Sequence, residues 1–444
     1  MVRSFYISTL GCPKNEVDSA KLAGRLCDSG YEETASASEA DLVVVNTCAF
    51  IEAAREESIE EILELSSARR AGARLAVTGC LAERAGEELA AALPEIDVVA
   101  GFGMDLLSGE DVTGNVRLLP RSEIPSFDLL ELRRPRSGTP WAYVKVAEGC
   151  DRRCGFCAIP SFRGRQRSRS VRSILAEVEA LDVKEVVLVA QDLASFGRDR
   201  RREAPKAEWD SEGASDDIVS LLSAVTRLVE RVRLLYLYPS SLTDRLIDAV
   251  VATGVPYFDL SLQHASGRLL RKMRRFGSAG RFLERIERIR RLAPGAALRS
   301  SFILGYPGES EADHDELLGF LEQAQLDWAG FFTFSPEKGT PAAVAGDQVP
   351  RALALERLAE CSELQEEITA RRRRELVGTL TRVLVDEPGV ARSFREAPEI
   401  DGVLAVPPWL AKGELFDVRI TDALGPDLVA EPIGEVPARV HGAG

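Results

Sequence analysis

Histidine is scarce in this chain of 444 residues, with three against eight cysteines. That scarcity argues against a histidine-rich zinc site. Long apolar runs are missing too, and none approaches the about 20 residues needed to cross a bilayer. The opening MVRSFYISTLGCPKN has neither the basic start nor the apolar stretch of a signal peptide. Positive charge is in deficit: 56 Lys and Arg stand against 70 Asp and Glu, a balance of −14. Broad attraction to nucleic acid or anionic membrane is therefore disfavoured, and a basic partner is suited. These absences lead us to expect a cytoplasmic protein. In a reducing compartment, clustered cysteines serve as metal ligands or catalytic groups rather than disulfides.

What is present describes a packed protein of two or three domains, 45% hydrophobic and 28% charged. The first hundred residues alternate strand-like runs (Phe5–Thr9, Asp41–Asn46, Arg74–Thr78, and one near Asp97) with helical patterns (Glu16–Asp28, Ile51–Ala68). Such alternation predicts a parallel α/β sheet. A Pro- and Ser-bearing segment follows. Alternation then resumes through WAYVKV, EVVLVA, LLYLY, FDLSL, LRSSFIL and WAGFFTF, which predicts a larger α/β unit, an open or partial barrel. The charged run Gly197–Asp217 reads as a solvated loop. After a helical stretch from Arg351 to Leu376, short β-rich runs with turn signals predict a small antiparallel barrel. The expected fold class is α/β, with an N-terminal domain at 1–115, a linker at 116–137, a core at 138–374 and a C-terminal barrel at 375–444.

GCDRRCGFC places Cys150, Cys154 and Cys157 just past the strand WAYVKV. Three thiolates can hold three irons of a [4Fe-4S] cluster and leave the fourth open, the mark of a catalytic rather than a closed structural site. S-adenosylmethionine can chelate that iron through its amino and carboxylate groups. The alternative, a zinc knuckle, needs a fourth ligand, and none lies nearby in the sequence. Gly305 and Gly308 in FILGYPGES can let backbone approach such a ligand, although a tight loop explains them equally well. Gln191 and Asp192 end a strand, a position suited to ribose or substrate contacts. Of Arg163, Arg165, Arg167 and Arg169, one can pair with the ligand's carboxylate; the others read as solvated or structural. His264 ends a strand as either a satisfied core histidine or a functional one.

Cys12, Cys48 and Cys80 each follow a predicted strand, spaced by 36 and 32 residues. Parallel strands bring their C-terminal ends to one sheet edge, so the three can meet and hold a second cluster with one open iron. The loops carry the small residues Gly11, Thr47 and Gly79. The alternative is that all three are buried hydrophobes. Cys27, on the stripe Ala20, Ala23, Leu26, and Cys361, between Leu358 and Leu364, read as core or near-core packing.

The barrel motif, with Phe156 before its last cysteine, resembles the radical SAM superfamily. The whole layout resembles the methylthiotransferase family: a three-cysteine N-terminal domain, a radical SAM core and a TRAM-type barrel. The resemblance implies two [4Fe-4S] clusters at the six cysteines, S-adenosylmethionine beside Phe156, Gln191, Gly305 and Gly308, and an electron donor. It also implies transfer of sulfur together with a methyl group. One bacterial branch modifies an adenosine in tRNA, the other the β-carbon of an aspartate in protein twelve of the small ribosomal subunit. GCPKNEVDS, SPEKGTPAA and REAPEIDG resemble the second. From Glu375 to Gly444, 12 acidic residues face 6 basic ones, a balance of 6 − 12 = −6. An acidic barrel suits a basic ribosomal protein and disfavours tRNA. Glu396, Glu399 and Asp401 read as rim charges of that barrel. A non-catalytic iron–sulfur or zinc scaffold that recruits RNA or protein is the alternative from another class.

Overall fold

Alternating strands and helices in the first hundred residues build a parallel sheet. The computed structural model describes residues 2–102, 106, 117–118, 128–203 and 217–434. The N-terminal elements are β1 (Arg3–Thr9), α1 (Pro13–Asp28), β2 (Tyr31–Glu33), β3 (Leu42–Thr47), α2 (Glu52–Ala68), β4 (Arg74–Gly79), α3 (Cys80–Ala92), β5 (Val98–Val99) and β6 (Arg117–Leu118). The sheet order is β2-β1-β3-β4-β5-β6, and every pairing is parallel. β3 is buried along its length, as a central parallel strand covered on both faces must be. Residues 116 and 119–127 of the expected linker lie outside the described residues.

The core follows: β7 (Trp141–Lys145), β8 (Ala147–Glu148), α4 (Ile159–Arg163), β9 (Arg167–Ser168), α5 (Val171–Leu181), β10 (Glu185–Val189), α6 (Arg198–Glu203), α7 (Ile218–Val225), β11 (Arg231–Leu234), α8 (Asp244–Ala252), β12 (Tyr257–Gln263), α9 (Gly267–Lys272), α10 (Ala279–Leu292), β13 (Ala297–Leu304), α11 (Glu311–Ala324), β14 (Trp328–Thr333) and α12 (Arg351–Arg374). Two parallel sheets, β7-β10-β11 and β12-β13-β14, meet at the bridge Leu237–Leu260 and form a partial barrel. Alternate residues divide the strands by period two. Val144, Val186, Leu188, Leu234, Phe258 and Leu298 pack against the helices. Tyr143, Val187, Val189, Leu235 and Tyr257 form a second cluster on the other face.

The C-terminal strands β15 (Leu380–Glu387), β16 (Val390–Arg392), β17 (Leu404–Ala405), β18 (Leu415–Leu424) and β19 (Asp427–Pro432) close into a barrel. Its interior holds Val383, Val385, Leu404, Val418, Ile420 and Leu428.

The structure corrects four expectations. The strand expected at LLYLY instead spans Arg231–Leu234. Its inward arginines are buried by ion pairing, with Arg233 Nε 3.0 Å from Glu185 Oε1. The strand stops short because Tyr236 adopts φ 65°, which breaks the ladder. Within the expected loop, Arg198–Glu203 is helical, and Asp199 anchors it by accepting from Ser168 N and Oγ at 2.6 Å each; the stretch 204–216 lies outside the described residues.

Cys27 is exposed rather than near-core, whereas Cys361 is buried as expected. The buried arc of α1 runs through Val17, Asp18, Lys21, Leu22 and Leu26. Its polar members pair with the core, so the helix turns away from the face its apolar residues alone suggest.

Glu396 is buried and the Asp401 side chain is closed off from solvent, so neither is a rim charge. Glu396 pairs with Arg373, and Asp401 accepts from Tyr257 Oη at 2.6 Å with Arg299 Nε 3.4 Å away. The surrounding segment seals one end of the core barrel. Arg392 meets Glu185 at 3.0 Å, Tyr143 Oη donates to Pro398 O at 3.0 Å, and Ala397 joins the inner cluster.

Candidate metal and substrate site

At the C-terminal ends of β1, β3 and β4 the chain turns through Cys12, Cys48 and Cys80. Glycines let these turns touch. Gly11 has φ 97°, and a Cβ there would lie 2.7 Å from Cys48 Cβ and 2.8 Å from its Sγ; one at Gly79 (φ 92°) would lie 2.5 Å from Thr47 O. No side chain fits at either close approach. Asn15, on the first turn of α1, ties the turns together. Its Nδ2 donates to Leu10 O at 2.8 Å and Thr47 O at 3.1 Å, and its Oδ1 lies 3.8 Å from Cys80 Sγ. Burial pushes the Cys48 thiol up to about 12, with the neighbouring Cys80 and Cys12 adding to the shift; burial also raises Cys80, against the opposing pull of Arg163.

The second triad lies in one loop between β8 and α4. β8 pairs antiparallel with β9 and draws the loop's two ends together. Gly149 has φ 79°, and a Cβ there would lie 2.2 Å from Arg165 O. Arg152 N donates to Cys150 Sγ at 3.4 Å, and Arg275 Nη1 to Cys154 Sγ at 3.5 Å. Both guanidinium groups stack on Tyr238, 3.9 and 3.8 Å from its ring centre. Burial raises Cys150 to about 11 and Cys157 to about 12.

One residue spans both triads. Arg163 ends α4, six residues past Cys157, and is buried. It donates to Cys80 Sγ at 3.1 Å, Asn15 Oδ1 at 2.8 Å, Asp18 Oδ2 at 3.0 Å and Glu148 Oε2 at 3.0 Å. Lys145 pairs with Asp18, and with Glu148 at 2.6 Å. Two cations and two carboxylates thus balance where no charge reaches water. Burial would raise the Glu148 carboxyl, but Arg163 and Lys145 outweigh it and hold it near about 2.

Among the described residues, no three cysteine, histidine or carboxylate groups form a site for a single metal ion. In a [4Fe-4S] cluster each thiolate binds a different iron, so its ligands stand further apart. Each triad offers three thiols, close-packed glycines and an adjacent guanidinium to balance an anionic cluster. That donor set fits the group.

The remaining candidates are placed as follows. Gln191 Nε2 donates to Glu148 Oε1 at 2.7 Å, while its own buried Oε1 has no partner among the described residues. Asp192 accepts from Arg152 Nε at 2.6 Å. Phe156 is half-buried against the barrel core. Gly305 and Gly308 are nearest to protein: a Cβ would meet Ala354 at 2.4 Å in one, Asp347 and Lys272 at 2.2 Å in the other. Arg169 is buried and pairs with Glu177 at 2.5 Å, whereas Arg165 is exposed. His264 is buried, accepts from Ser266 N at 3.0 Å and is lowered by burial to about 3, a neutral core histidine.

Sequence reasoning missed Asn15, Asp18, Lys145 and Glu148. The one available signal was the run of polar residues opening α1 in GCPKNEVDS.

Comparison with known proteins bears directly on this site. Residues 4–101 match Uncharacterized protein family UPF0004, 144–321 the Radical SAM superfamily and 377–433 the TRAM domain. The Streptomyces coelicolor protein named ribosomal protein uS12 methylthiotransferase RimO is 41% identical over 97% of each chain. Proteins of the same name are 40% identical in Kineococcus radiotolerans, over 97% of each chain, and 38% identical in Anaeromyxobacter sp. strain K, over 99% of this chain and 95% of that one. The chain belongs to the RimO methylthiotransferase family. All three motifs that resembled one branch of that family lie at domain junctions of this RimO relative. In GCPKNEVDS, Asn15 and Asp18 bind Arg163. In SPEKGTPAA, Ser335 Oγ accepts from Glu52 N at 3.1 Å, and Glu337 pairs with Arg55 at 2.7 Å and with Arg84. REAPEIDG seals the core barrel. No described helix is long and apolar enough to cross a membrane.

Proposed function

We propose that the protein adds a methylthio group to the β-carbon of an aspartate in ribosomal protein uS12. Cys150, Cys154 and Cys157 hold one [4Fe-4S] cluster, and Cys12, Cys48 and Cys80 hold the other. When bound, the core cluster with S-adenosylmethionine supplies a carbon radical, and the N-terminal cluster holds the sulfur to be transferred. An unactivated C–H has neither an acidic proton nor a leaving group, so this chemistry needs a radical route.

The chain's residues fix the two centres relative to each other. Arg163, Lys145, Asp18 and Glu148 lock the N-terminal sheet edge onto the barrel mouth. Gln191 is oriented by Glu148 toward the core site, with its Oε1 free for the ligand. Phe156 supplies an apolar wall, and the backbone around Gly305 and Gly308 shapes the neighbouring turn. The segment Arg392–Asp401 closes the opposite end of the barrel, so substrate enters between the triads. The exposed acids Glu387, Glu414, Asp417, Asp422 and Glu431 favour a basic protein over tRNA. An external electron donor is required.

The observation that carries this reading is Arg163, bonded at once to Cys80 and to the Glu148 segment that precedes Cys150. The test is the intact mass of uS12, isolated with and without the enzyme. Gain of one methylthio group is expected. Unmodified uS12 together with methylthio-adenosine in digested tRNA would overturn the assignment.

A further inference from the structure

The geometry points to Lys14 as the residue that receives the carboxylate of the substrate's target aspartate; this rests on the uS12 reading above. Lys14 follows Cys12 by two residues on the first turn of α1 and is half-buried. Its Nζ lies 3.6 Å from the ring centre of Tyr236, beyond the end of β11. It therefore stands between Cys12 of the N-terminal triad and the C-terminal end of β11 at the barrel mouth.

Among the described residues, no carboxylate forms an ion pair with this ammonium. Its neighbours are differently placed. Lys21 pairs with Glu177 at 3.1 Å, and Lys145 with both Asp18 and Glu148. Arg152 is taken by Asp192 at 2.6 Å, and Arg163 by Asp18 and Glu148 at 3.0 Å each. Arg275 donates to Ser261 O and to Cys154 Sγ. Asp259, a carboxylate that acts on Lys14, is already engaged: it accepts from Tyr236 N at 3.0 Å and pairs with Arg299 at 3.2 Å. Burying this cation is costly; the Cys12 thiol beside it offsets part of that cost, and among the described residues no carboxylate pairs with it. An aromatic face beneath it offsets part of that cost while leaving its other donors free.

Aspartate brings a carboxylate to those free donors. Its carboxylate is bonded directly to the β-carbon, so a charge-assisted hydrogen bond from Lys14 fixes where that carbon sits. Asparagine is nearly the same shape but uncharged, which makes it the discriminating probe.

The experiment measures equilibrium binding of uS12, and of uS12 with the target aspartate changed to asparagine, to cluster-loaded wild type, Lys14→Gln and Lys14→Arg. Wild type should prefer the aspartate form about 10-fold or more, the scale of a hydrogen bond to a charged group. Lys14→Gln should bind both forms equally, and Lys14→Arg should recover part of the preference. Iron content should match in all three. Undiminished preference in Lys14→Gln overturns the proposal and leaves the substrate reading standing. Equal binding of both forms by wild type overturns it likewise, and iron loss in Lys14→Gln would assign Lys14 to the cluster instead. Absence of uS12 binding to wild type brings down the substrate reading, and this inference with it.

Discussion

The two cysteine triads solve one problem in opposite ways. Cys150, Cys154 and Cys157 share a single loop, so their meeting is settled by eight residues of local chain and the short β8–β9 pairing. Cys12, Cys48 and Cys80 are separated by whole β-α units and meet only because β1, β3 and β4 are adjacent and parallel. The local triad is written into the sequence; the distributed one is a property of the folded sheet. The distributed triad is accordingly tied together by a polar network through Asn15 and Arg163, whereas on the local triad Arg275 reaches Cys154.

Four perturbations sharpen or break that contrast. The largest effect is expected for Arg163→Leu, which leaves Asp18 and Glu148 to share Lys145 alone in a dry interface. Removing one partner of a buried ion pair costs about 3–5 kcal/mol. Thermal melting should drop accordingly, and iron should be lost from the N-terminal site first. Equal iron loss from both sites would erase the asymmetry.

Next come the glycines. Gly11→Val drives a side chain into Cys48, so iron should fall by half while S-adenosylmethionine cleavage continues. Gly149→Ala, aimed at Arg165 O, should show the reverse pattern. Iron assay and cleavage assay together read both.

A smaller effect is expected at Glu16, one turn after Cys12. Burial and the adjacent Glu399 raise its carboxyl to about 7. The fold therefore retains a proton that the unfolded chain releases near its ordinary range. The resulting stability is present at low pH and lost as pH rises through about 7. Melting temperature should fall between about pH 5 and about pH 8 in wild type by more than in Glu16→Gln. Parallel pH profiles would contradict this.

The smallest effect concerns the surface. Reversing Glu387, Asp417, Asp422 and Glu431 to Lys should slow uS12 association several-fold at low salt and leave stability nearly unchanged, as rim charges do. The difference should vanish as salt screens charges beyond about 8 Å. Glu396 and Asp401, whose side chains are closed off from solvent, belong to a different experiment.

Much of this was legible in one sequence, for identifiable reasons. Strand–helix alternation gives the sheet, and a cysteine after each parallel strand gives convergence without any coordinate. Arg163 was visible only as one of four arginines, because its partners Asn15, Asp18 and Cys80 lie far away in the chain. Cys27 was misplaced because the buried face of α1 is set by Asp18 and Lys21, which an apolar stripe cannot register. Glu396 and Asp401 read as surface charges in the sequence because the residues that neutralise them, Arg373 and Arg299, belong to another domain. Pattern finds what local chemistry repeats; buried ion pairs between domains do not repeat.

The central claim is that two separate clusters divide the reaction. Its most direct test is iron content, S-adenosylmethionine cleavage and uS12 mass in anaerobically reconstituted Cys12→Ala/Cys48→Ala/Cys80→Ala. The account predicts half the iron, continued cleavage and no methylthio group on uS12. Unchanged iron, or methylthiolated uS12 from this variant, would contradict it.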